Sequence, residues 1–77
     1  MNREAIKQKI IKIAEVTIGV YLQEDESLPE SGVDSLSLVT LVVSIEETFG
    51  IAFLDDDLQP KNLRTLASLV SLTEKYL

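Results

Sequence analysis

The chain has 77 residues, a net charge of −6, and no cysteine, histidine or tryptophan. Hydrophobic residues make up 45% of it, too many for a disordered chain, and the length allows one small domain over residues 1–77. Without His or Cys, the usual general base, the thiol nucleophile and the usual zinc ligands are missing, which argues against a self-contained hydrolase, a thiol redox protein or a structural zinc domain.

Residues 3–18 read as an amphipathic helix. Ile6, Ile10, Ile13 and Thr17 recur at steps of four, three and four, and Ala14 and Ile18 widen the stripe. Lys7, Lys9 and Lys12 fall on other faces and read as solvated. Gly19 supplies a stop, because it tolerates the left-handed backbone common just past a helix end. Tyr21 reads as a packing residue. Residues 23–34 then form a polar loop punctuated by Pro29 and Gly32, with Leu28 and Val33 expected to dip into the core. A loop of that length is usually functional or mobile.

Residues 35–49 alternate at first like a strand, but the longer pattern is helical. Leu38, Leu41, Val42, Ile45 and Phe49 share one face, and Leu36, Val39 and Val43 form an adjacent stripe. Asp34 or Ser35 is suited to cap the start, and Gly50 follows the end. After an irregular link through Asp55, Asp56 and Asp57, Pro60 suits the first turn of a brief helix. A last helix spans about 65–76 with Thr65 as its cap; Leu66, Leu69, Val70 and Thr73 face inward and Tyr76 extends that face. The fold class is therefore all-α: a small four-helix bundle of three main helices and one short one.

Charge sharpens the functional reading. Residues 23–57 hold ten acids and no base. Such a segment repels phosphate backbones, which disfavours nucleic acid, and attracts basic protein surfaces. The three consecutive aspartates lack the alternating ligands and central glycine of an EF-hand, so no metal site is expected. The apolar stretch Leu36–Ile45 is too short to span a bilayer, and residues 1–4 show no apolar signal core. The expectation is a cytoplasmic monomer without membrane insertion.

Gly32-Val33-Asp34-Ser35-Leu36 places a serine at a helix N-terminus, at the exit of an acidic loop. Taken alone, this string is weak, because serine caps helices often. The wider arrangement is more specific, and with it the sequence resembles the acyl carrier protein family. Ile18-Gly19-Val20 is similar to the family's close of the first helix, and Val33-Asp34-Ser35-Leu36 to its attachment motif. Glu46-Glu47-Thr48-Phe49-Gly50-Ile51 resembles the end of its second helix, and the stretch from Asp55 through Pro60 to Ala67 resembles its third and fourth.

The resemblance implies a four-helix bundle whose Ser35, flanked by Asp34 and Leu36, carries 4′-phosphopantetheine derived from coenzyme A through a phosphodiester. A phosphodiester there would lie beside the positive end of a helix dipole. The chain offers Ser35 no activating base, so a phosphopantetheinyl transferase using coenzyme A and magnesium would supply it. The protein is then a tether and not an enzyme, holding acyl groups as thioesters on the arm.

The implied partners are that transferase and acyl-loading, condensing and processing enzymes with basic or apolar docking patches. Glu46 and Glu47 are the charged contacts expected by resemblance, with Leu38, Val39 and Val43 as apolar ones. Ser37 and Thr40 stand where fatty acid carriers commonly have acids, so the docking face is expected to be more apolar. Leu41, Ile45, Leu66 and Val70 are the candidate walls of a shelter for short acyl chains. The implied setting is fatty acid, polyketide or related secondary-metabolite biosynthesis. The alternatives are an aminoacyl or peptidyl carrier of a nonribosomal-type pathway, and a helical interaction module in which Ser35 only caps its helix.

Overall fold

A computed structural model describes all of residues 1–77. Helix α1 spans Arg3–Ile18, α2 spans Ser35–Phe49 and α3 spans Leu66–Lys75. The short fourth helix is realised as two 3-10 turns, Asp55–Asp57 and Pro60–Asn62, the second opened by its proline. No strand forms; the one bridge, between Ser27 and Thr65, ties the long loop to the entrance of α3.

The helix ends follow local chemistry. Asn2 caps α1 by accepting the Ala5 N–H at 2.8 Å. Gly19 and Gly50 adopt left-handed φ values of 67° and 68°, which a side chain rarely tolerates, and so close α1 and α2. Thr65 caps α3 in a reciprocal box: its hydroxyl accepts the Ser68 N–H while Ser68 Oγ accepts the Thr65 N–H, both at 3.0 Å.

Helix α1 packs against both α2 and α3. The core it shares with them includes the fully buried Ile6, Ile10, Leu41, Ile45, Leu66, Leu69 and Val70. Leu28 and Val33 are buried as expected, and so is Leu22 just past α1. The burial of Leu22 has no periodic signal, because it lies in irregular chain.

Several expectations are corrected. Thr17 is exposed, and its hydroxyl donates back to the Ile13 carbonyl at 2.7 Å; Ile11 is buried instead, which shifts the buried stripe of α1. Tyr21 is 58% exposed and is not a packing residue. Tyr76 is one: its ring meets Phe53 edge-on at 5.1 Å between centroids, and its hydroxyl donates to Asp57 and accepts the Leu54 N–H. Lys7 is half-buried and bridges Glu4 and Glu24, so it pins the start of the loop and is not simply solvated. Leu41, Ile45, Leu66 and Val70 enclose no common cavity. Leu66 and Val70 border a surface groove with Arg3 and Lys7, while Leu41 and Ile45 border none.

Candidate functional site

The loop before α2 is knit together. Glu30 accepts the Ser27 N–H at 2.8 Å, and Val33 donates to the Leu28 carbonyl at 3.0 Å. Leu28 in turn donates to the Arg64 carbonyl at 2.7 Å, fixing the loop against the chain that enters α3. The buried side chains of Leu28 and Val33 anchor it from below. The start of α2 therefore emerges from a held frame.

Asp34, and not Ser35, is the cap of α2. Its backbone is extended, and Oδ1 accepts the Ser37 N–H at 2.8 Å. That hydrogen bond holds the Asp34 carboxyl below the ordinary carboxylate value. Ser35 is thereby the first helical residue. It is exposed, and its hydroxyl makes no hydrogen bond within the chain. The reading of Ser35 as merely a helix cap is thus overturned: the neighbouring carboxylate occupies the capping position. A serine in the first turn also lies where backbone N–H groups have no upstream carbonyl partner, so the surroundings favour negative charge.

Ser35 borders a surface groove of about 470 Å³ that runs between the start of α2 and the segment before α3. Its apolar lining includes Val33, Leu38, Leu58 and Leu63. Asp34 lines it, as does Arg64, whose exposed guanidinium forms none of the four ion pairs in the protein. Arg64 is distant from Ser35 in sequence, and its residue type alone does not single it out. The Leu28–Arg64 hydrogen bond, which brings the two segments together, leaves no mark in the sequence pattern.

A second groove of about 290 Å³, almost wholly apolar, follows α2 beyond it. Leu38, Val39, Val42, Val43, Leu58 and Leu63 line it, with Glu46 at one end. Leu36, Val39 and Val43 stand 82%, 61% and 46% exposed, a continuous apolar stripe descending from Ser35. Leu38 is half-buried, shared between the two grooves. Glu47 is exposed, whereas Glu46 is half-buried and accepts the Phe53 N–H at 2.7 Å. Glu46 thus tethers the chain after α2, a role the sequence pattern does not display. No acid lies in the first turn of α2, so its opening face is uncharged beyond the cap.

The chain is similar to known proteins along most of its length. The family model described as "Phosphopantetheine attachment site" matches residues 4–72. The chain is 36% identical to an acyl carrier protein of Coprothermobacter proteolyticus, over an alignment covering all of this chain and 96% of that protein. It is 35% identical to an acyl carrier protein of Thermotoga maritima, covering 99% and 96% of the two chains. A third, from Exiguobacterium sibiricum, is 36% identical over 94% of this chain.

Proposed function

The chain belongs to the acyl carrier protein family, whose covalent prosthetic group is 4′-phosphopantetheine, and we propose from that premise that Ser35 is the attachment residue. The observation that carries this reading is the division of labour at the start of α2. Asp34 does the capping, which leaves the Ser35 hydroxyl unbonded, exposed and at the positive end of the helix. The fit to a phosphodiester is chemical as well. The first turn favours an anion, an unpaired guanidinium lines the same groove, and the groove's apolar walls suit the methyl-bearing part of the arm. When bound, the group supplies a terminal thiol that holds an acyl chain as a thioester.

What the chain itself contributes follows from its residues. Ser35 offers the hydroxyl but no proton acceptor, since there is no histidine and Asp34 is held as a weak base by its bond to Ser37. The proton of Ser35 must pass to a base on a phosphopantetheinyl transferase, with coenzyme A as donor. The protein is accordingly a carrier and not a catalyst. The exposed stripe Leu36–Val39–Val43 and the acid Glu47 form the face on which the transferase and the acyl-handling enzymes dock.

The cargo class is acyl rather than aminoacyl, in line with the names of its relatives, and the place of work is the cytoplasm. No helix is long and apolar enough to cross a membrane. The uncharged opening of α2 favours partners that grip by apolar contact, in a pathway related to fatty acid synthesis but with dedicated enzymes. Intact-mass analysis after incubation with coenzyme A and a promiscuous transferase tests the reading. One phosphopantetheine is expected on the natural chain and none on Ser35→Ala; an unmodified natural chain would refute it.

A further inference from the structure

Seven cations stand against thirteen acids in this chain. Arg3, Lys7 and Lys75 are held in ion pairs with Glu74, with Glu4 and Glu24, and with Asp57. Lys9 and Lys12 project from α1, and Lys61 lies in the second 3-10 turn. Only Arg64 lines the groove that Ser35 borders. It shares that groove with Asp34, yet the two form no ion pair. In so acidic a chain, an unpaired arginine in the groove that Ser35 borders is suited to an anion attached there.

The peptide group that follows Arg64 is held at both its oxygen and its nitrogen. Its carbonyl accepts the Leu28 N–H at 2.7 Å, and the next residue, Thr65, is locked in the capping box of α3. The side chain itself is exposed and forms no ion pair. A guanidinium stays charged at every relevant pH, and its planar fork matches two oxygens of a phosphate at once, which an ammonium does not.

We infer that Arg64 holds the phosphodiester of the arm, drawing its first segment into the groove between α2 and the chain before α3. This rests on Ser35 being the attachment residue. Arg64 is a positioning residue in that scheme: it restrains the arm near the protein and takes no part in forming the phosphodiester. The apolar side chains of Leu38 and Leu58 lie along the path the arm would then follow.

The test uses the full chain in apo and loaded forms, as the natural protein and as Arg64→Gln and Arg64→Lys. Loading is first verified by intact mass. NMR then follows the Arg64 side-chain Nε–H and the 31P resonance, and melting curves compare each pair. On loading, the natural chain is expected to show a shifted, slowly exchanging Nε–H and a raised melting temperature. The 31P resonance of its loaded form should respond to salt. In Arg64→Gln the melting difference and the salt response should vanish, and Arg64→Lys should restore them only in part.

A loaded natural chain with an unmoved Nε–H, and the same melting difference in Arg64→Gln, overturns the inference while leaving Ser35 in place. Slower loading of Arg64→Gln with unchanged loaded-state spectra also overturns it, by assigning Arg64 to the transferase contact. Absence of any adduct on the natural chain refutes the Ser35 reading and this inference with it.

Discussion

Asp34 Oδ1 takes the Ser37 N–H, and that bond decides what Ser35 is free to do. Two adjacent residues are both good caps by type, so the pattern alone leaves either able to fill the role. Backbone geometry separates them: Asp34 is extended and Ser35 is already helical. The bond also has a pH signature. It lowers the Asp34 pKa in the folded state below its ordinary value of 3.8. The stability it contributes is therefore present in full above that value and is lost as pH falls through the depressed folded value. Asp34→Asn keeps an acceptor but loses the charge beside the helix dipole. It should melt below the natural chain at neutral pH, with the gap closing in acid. A gap independent of pH would show that charge plays no part in the cap. Arg64 illustrates the opposite limit of legibility: its residue type is plain, but its place in the groove that Ser35 borders goes with a backbone bond between two irregular segments.

At the scale of the element, α2 carries two faces with different tasks. Leu41, Val42 and Ile45 are buried, while Leu36, Val39 and Val43 are exposed. Helical spacing made both stripes legible, and glycines at the helix ends made the spans of α1 and α2 legible too. Spacing did not show that Glu46 turns back to the Phe53 N–H. A carboxylate bonded to its own backbone is less available to a partner, so Glu47 is the charged contact of the proposed docking face. Burying an exposed apolar side chain is worth roughly 1.5–3 kcal/mol, and an exposed charge pair about 0.2–1 kcal/mol. Val39→Ser should therefore raise the transferase KM by more than Glu47→Ala does, with both variants folded by circular dichroism. A larger effect of Glu47→Ala, steeply dependent on salt, would mean that charge guides docking here.

For the whole molecule, stability rests on a small core around α1. A chain of this length is stable by about 4–12 kcal/mol, taking typical values per residue. Ile45 is fully buried, so Ile45→Ala should cost about 2–5 kcal/mol, a large share of the total. Urea titration should show the midpoint lowered accordingly, and an unchanged midpoint would contradict the packing. The filled core also explains why the expected cargo walls enclose nothing: Leu41 and Ile45 contact other side chains and not open space. Apolar periodicity identifies what is buried, but not whether a cavity lies among the buried groups. The open apolar surface is instead the pair of grooves that share Leu38, Leu58 and Leu63 below Ser35. All these features meet at one hydroxyl, so the most direct measurement is tandem mass spectrometry of the loaded chain after cleavage into short peptides. The adduct should map to Ser35 alone. An adduct on Ser31 or Ser37, the serines that flank it, would contradict the assignment of a free, uncapping Ser35 as the attachment site.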